Sequence, residues 1–185
     1  FSRILYGSRI SLQVGLLSTA ISSVVGTLLG AIAGFYGKTL DNIIMRIVDV
    51  MLAIPAILLA ISIAAALGPG LGNVMIAVSI GAIPSFARIV EAARACGASD
   101  LRIILKHILP NCMATIIVQA TLGVASAILS TSGLSFIGLG ISPPTPEWGA
   151  MLSAGRQYIR DYSYIVLFPG LAIAITIFAL NLFGD

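Results

Sequence analysis

Long apolar runs decide what this chain can fold into. Residues 11–35, 43–67, 74–90, 113–134 and 165–183 carry very few charges. An α-helix rises about 1.5 Å per residue, so the longer runs cross a hydrocarbon core of about 30 Å with some tilt, and 74–90 is on the short side. Only 9% of the 185 residues are charged and 58% are hydrophobic, against about 25% charged in ordinary soluble domains. No soluble core of this size needs so much apolar sequence. An all-α integral membrane protein with five transmembrane helices is the expectation. The formal charge of +3 is small and clustered, which argues for membrane topology and against nucleic acid as a partner.

Several features inside the runs predict packing. Gly26, Gly30 and Gly34 recur at every fourth residue of the first run, a double GxxxG that opens one helix face to close approach by another. Pro55 is expected to kink the second span. Arg46 and Asp49 lie three apart on one face near its start, where a structural ion pair or snorkelling is expected. The fourth run carries Gln119, Ser126, Ser130, Thr131 and Ser132. Such residues line a passage or bond across helices, and sequence leaves both open. Gln119, Ser130 and Asn181 are the candidates for passage lining.

The one long polar interruption is 91–111, which carries Arg94, Arg102 and Lys106 and is preceded by Arg88. It reads as two short helices. Residues 91–96 are Ala-rich, Gly97 permits a change of direction, and Ser99 with Asp100 suits the start of a second helix. Leu101, Ile104, Leu105 and Ile108 share one face of that helix, and Arg102 and Lys106 the other. An amphipathic helix-turn-helix between spans suits docking better than catalysis; on spacing alone, a solvated loop with an interfacial helix is an equal reading.

Glu91-Ala92-Ala93, then Gly97, then Leu109-Pro110 resembles the EAA motif of ABC-importer permease subunits. The pattern's Ile position holds His107, with Ile108 next. The resemblance implies that 91–111 is a cytoplasmic coupling loop. Glu91, Ala92, Ala93, Gly97, Ala98, Ser99, Asp100, Leu101, Leu109 and Pro110 would then meet an ATPase subunit. It implies the core of a six-helix type I ABC-importer permease fold, with 1–185 a transmembrane permease domain incomplete at both ends. ATP and Mg would belong to partner ATPase subunits, with no cofactor and no metal in this chain. Gly37-Lys38-Thr39 looks like the end of a P-loop, but the glycine required five positions earlier is Ile32. Cys96, His107 and Cys112 lack a fourth ligand for a zinc site.

Lys/Arg density places 88–107 in the cytoplasm. Alternation puts 36–42 on the same side and 1–10, 68–73 and 139–164 on the other, although Arg3, Arg9, Arg156 and Arg160 run against the rule. In 139–164 the prolines of Pro143-Pro144-Thr145-Pro146 forbid a continuing helix. Trp148, Tyr158, Tyr162 and Tyr164 suit a membrane interface.

The PPTPEWG run at 143–149 is similar to the dipeptide/oligopeptide/nickel permease family, second membrane subunit. So are 4–12, 41–46 with Asp49, and 168–171 with Asn181-Leu182. The resemblance implies a di-/oligopeptide importer in a bacterial or archaeal plasma membrane. Its implied partners are ATP-binding cassette ATPase subunits, a second homologous permease, an extracytoplasmic solute-binding protein and the lipid bilayer. In that family about fifteen residues precede the Glu-Ala-Ala; here Val90 abuts Glu91, and omitted residues or a genuine deletion account for the difference. A nickel or other small-solute importer is the alternative within the family. An ATP-independent channel or scaffold is the alternative outside it. An intramembrane enzyme lacks paired catalytic groups at mid-membrane depth.

Overall fold

The computed structural model describes residues 1–94, 109–142 and 144–184; of residues 38, 92–94 and 109–112 it describes the backbone alone. Seven α-helices form the described fold. They are α1 (Ser2–Tyr36), α2 (Lys38–Ala53), α3 (Ala56–Leu67), α4 (Leu71–Arg94), α5 (Leu109–Phe136), the short α6 (Trp148–Gly155) and α7 (Tyr164–Gly184), with a 3₁₀ turn at Arg156–Tyr158. Four of them, α1, α4, α5 and α7, are long and apolar enough to cross a membrane, and the pair α2–α3 makes a fifth if it counts as one span.

That pair differs most from expectation. Residues 43–67 were expected to be one kinked span, but α2 and α3 are bent by 93° at their break. Ile54 is extended (φ −95°, ψ 127°) and so is Pro55 (φ −52°, ψ 127°). Proline offers no N–H and pushes the residue before it out of the helical region, so two helices replace one. The first span is also longer than 11–35, because α1 takes in the semi-polar residues 2–10. Residues 91–94 do not form a separate helix. They complete α4, since nothing in Val90-Glu91-Ala92-Ala93 breaks a helix.

Helix α1 is the centre of the bundle and makes its most extensive contact with α4. Its small residues decide which neighbours come close. A Cβ on Gly26 would lie 2.6 Å from the Ile83 carbonyl oxygen and 2.6 Å from Phe86 Cβ, and one on Gly30 would lie 2.5 Å from the Ala87 oxygen. Gly34 is buried as well. Higher up the helix, Gly15 abuts Ile128 and the Val124 carbonyl of α5, and Gly7 abuts the indole of Trp148. Ser79 Oγ donates to the Ser18 carbonyl at 3.1 Å, tying α4 to α1. Removing voids and adding such bonds is what drives association where solvent is as apolar as the side chains.

The connections sort to two ends. The loop after α3 meets the turn after α5 where Gly70 N–H donates to Gly140 O (3.1 Å). Trp148 Nε1–H donates to the Ile4 carbonyl of α1 at 3.0 Å. Residues 1–10, 68–70, 137–142 and 144–163 therefore gather at one end, and the α1–α2 turn lies at the other. That turn is made by Gly37 at φ 59°, a backbone angle that favours glycine. The outward faces of α7 and α1 are apolar: Leu167, Leu171, Ile175, Phe178 and Leu182 on the one, Leu16, Val24 and Leu28 on the other. Exposed apolar faces of this extent suit lipid or partner helices.

Candidate transport cleft and terminal clamp

Three helices build a cleft of about 300 Å³ on one side of the bundle. Helix α5 supplies Gln119, Gly123, Ser126 and Ser130, at i, i+4, i+7 and i+11, which is one helical face. Helix α4 adds Gly81, Ala82 and Ser85, and α3 adds Ala56 and Ala60. No lining residue is charged. Small side chains keep the cleft open, and three hydroxyls with one carboxamide offer hydrogen bonds to whatever enters.

The polar residues of α5 thus divide by helical phase. Gln119, Ser126 and Ser130 line the cleft. Thr131 and Ser132 point into the protein and are buried. Thr131 Oγ1 has no hydrogen-bond partner among the described residues. Ser132 Oγ lies 3.3 Å from a Glu147 carboxylate oxygen. Asn181 is exposed on α7, away from this cleft. Gln119 and Ser130 are therefore brought together by the fold and Asn181 is not.

The second built feature is the Glu147-Trp148-Gly149 segment. Glu147 is fully buried and caps α6, accepting bonds from the backbone N–H groups of Gly149 and Ala150, both at 2.8 Å. The hydroxyls of Ser11 on α1 and Ser132 on α5 also face the carboxylate, at 3.5 and 3.3 Å. Trp148 is 3% exposed. Sequence reading placed Trp148 at a membrane interface; it is instead a core residue whose N–H is satisfied by α1. Tyr158, Tyr162 and Tyr164 are exposed, with Tyr162 and Tyr164 edge to face at 6.1 Å. Gly149 packs so tightly on Ser132 that a Cβ there would fall on its backbone. The segment 139–164 is therefore no simple loop: its first half is clamped to α1 and α5. The signal available in sequence was a Glu at an N-cap position two residues before a glycine, and nothing local revealed that it would be buried.

The residues that the resemblance assigns to a coupling loop are placed only in part. Glu91 is half-buried near the end of α4, Ala92 and Ala93 follow it in the same helix, and Leu109-Pro110 opens α5. Gly97, Ala98, Ser99, Asp100 and Leu101 lie outside the described residues, as do Cys96 and His107. Among the described residues no group of three His, Cys, Asp or Glu side chains is placed to hold a metal. Asp49 pairs with Arg88 of α4, not with Arg46 of its own helix.

A bundle of apolar helices of membrane-crossing length, with an uncharged, hydrogen-bonding groove on one side, is a polytopic membrane protein. The chain belongs to the family of binding-protein-dependent transport system inner membrane components, whose model matches residues 26–185. Among its relatives, a dipeptide transport system permease protein DppC of Alkalihalophilus pseudofirmus is 49% identical over the whole of this chain, which spans 65% of that protein. A di/tripeptide permease of Pseudomonas aeruginosa is 47% identical, again over all of this chain and 65% of the relative. A glutathione permease GsiD of Pectobacterium atrosepticum is 45% identical over all of this chain and 66% of its own length. In fold, the structure matches a chain of the inward-facing MetNI methionine ABC transporter with a TM-score of 0.74, covering 98% of this chain and 93% of that one, at 20% identity. That likeness establishes the type I importer-permease fold, as the resemblance implied.

Proposed function

We propose that this chain is a membrane-spanning subunit of an ATP-driven, binding-protein-dependent importer of di- and oligopeptides. The observation that carries the reading is the similarity, over the whole of this chain and 65–66% of the relatives, to dipeptide, di/tripeptide and glutathione permeases at 45–49% identity. The cleft supports it: peptide backbone groups need donors and acceptors, and a wall without charge does not discriminate by the side chains of the cargo. Gln119, Ser126 and Ser130 line this chain's half of the passage, and a second, homologous permease supplies the other half. The 91–111 segment seats in a cytoplasmic ATPase subunit, where ATP and Mg are bound. An extracytoplasmic binding protein delivers peptide at the end that carries 1–10, 68–70 and 139–164. The membrane is a bacterial or archaeal plasma membrane.

The alignment with DppC runs over 198 positions against 185 residues of this chain, so at least 13 positions of that relative have no counterpart here. This is close to the size of the segment expected before Glu91, where α4 runs on without a break.

The test is co-purification with the cognate ATPase subunits, comparing the natural chain with Glu91→Ala and Gly97→Pro. ATPase binding that Gly97→Pro abolishes, with the helix content of the spans unchanged, supports the coupling role. An intact natural chain that never binds an ATPase overturns the importer reading in favour of a channel or scaffold.

A further inference from the structure

The charges that the passage leaves unused meet where α2 crosses α4. Arg88 Nη2 bonds Asp49 Oδ1 in an ion pair, and both side chains are roughly half exposed. Arg88 stands three residues before Glu91, on the helix that ends at Arg94. Asp49 stands five residues before Ile54, where α2 gives way to the extended Ile54-Pro55 joint. Beyond the joint, α3 supplies Ala56 and Ala60 to the cleft wall. Helix α4 holds α3 directly as well: a Cβ on Gly81 would lie 3.3 Å from the Ala56 carbonyl oxygen. Gly81 and Arg88 are seven residues apart, about 10 Å along α4. One helix therefore grips the bent pair at two points, one on each side of its joint.

A rigid helix held this way behaves as a lever. The Gly81 contact is close packing of backbone and stays put. The ion pair is charge-assisted and directional, so it carries α2 along when the end of α4 moves. The joint between them has no helical bond across Pro55 and is the element that yields. We propose that the Arg88–Asp49 pair is a strut that links the Glu91 end of α4 to the cleft wall. Displacement of that end changes the α2–α3 angle at Ile54-Pro55 and shifts Ala56 and Ala60. Arg88 and Asp49 are positioning residues: they touch no cargo. The inference rests on the transport reading, since it assigns the Glu91 segment as the place where the ATPase pushes.

The experiment uses the assembled transporter in proteoliposomes, with its second permease, ATPases and binding protein. Uptake of tritiated alanylalanine and release of phosphate are measured together. Asp49→Asn and Arg88→Gln are each expected to lower peptide carried per ATP by about threefold, with phosphate release largely unchanged. The exchanged pair, Asp49→Arg with Arg88→Asp, is expected to recover at least half of that loss, because attraction between the helices is restored. Single variants at the wild-type ratio, or an exchanged pair no better than the singles, overturn the strut. If a neutral variant fails to assemble, Asp49→Glu, which lengthens the strut by one methylene, decides: a lowered ratio supports the proposal and a wild-type ratio overturns it. A wild-type complex that shows no binding-protein-dependent uptake overturns the transport reading instead.

Discussion

Replacing Gly30 by alanine tests whether close approach of α1 and α4 holds this bundle together. The added Cβ would lie 2.5 Å from the Ala87 carbonyl oxygen, 3.2 Å from its carbonyl carbon and 2.9 Å from Val90 Cβ. None of these atoms swings away by changing a rotamer, so the helix axes must separate by close to 1 Å. Overpacking of this kind costs about 1–3 kcal/mol, and backbone neighbours place it at the upper end. Alanine returns up to about 1 kcal/mol through its better helix propensity. The net is a loss of about 2 kcal/mol, which for a chain of this size lowers Tm by about 4–8 °C. Gly133→Ala on α5 is the control: nothing lies within 4 Å of its added Cβ, so propensity alone acts and stability rises by up to about 1 kcal/mol. The assay is thermal unfolding of the full-length chain in detergent, followed by size-exclusion of a fluorescent fusion. A Gly30→Ala variant as stable as wild type, or a Gly133→Ala variant that falls equally, refutes the packing argument.

Two further outcomes follow from the clamp and the cleft. Glu147→Ala leaves the buried N–H of Gly149 and the partly buried N–H of Ala150 without an acceptor, at about 1–3 kcal/mol for the first and less for the second; Glu147→Gln keeps one acceptor oxygen and is expected to lose about half as much, read from the same unfolding curves. Ser126→Trp fills a large part of a cleft of about 300 Å³. It is expected to cut peptide uptake by about tenfold or more while leaving Tm within about 2 °C of wild type, because Ser126 is exposed and carries no buried contact. Normal uptake in that variant moves the passage elsewhere.

The sequence by itself determined the solvent, the class and the family. Apolar runs of bilayer length admit helices in lipid, and period-four glycines announce a face made for contact; these are local properties, legible without knowing any neighbour. The family followed from the fixed spacing of Glu91, Gly97 and Pro110 and from the PPTPEWG run, both of which are patterns of particular residues at particular intervals. What the glycines touch was not legible: that Gly26 and Gly30 meet α4 while Gly15 meets α5 depends on how α1 crosses two helices far away in the chain. The same holds for charge. Sequence proximity left Asp49 either paired with Arg46 or snorkelling, yet the 93° bend at Pro55 swings α2 across α4 and gives Asp49 to Arg88. Trp148 and Glu147 had every mark of surface residues, an aromatic and a carboxylate beside prolines. Only the tertiary structure buried them, because α1 supplies the Ile4 carbonyl and Ser11, and α5 supplies Ser132, across more than a hundred residues of chain in the first case and fifteen in the second. Burial of a polar group is decided by whether distant partners arrive to satisfy it, and that information lies in the packing and in no single stretch of sequence.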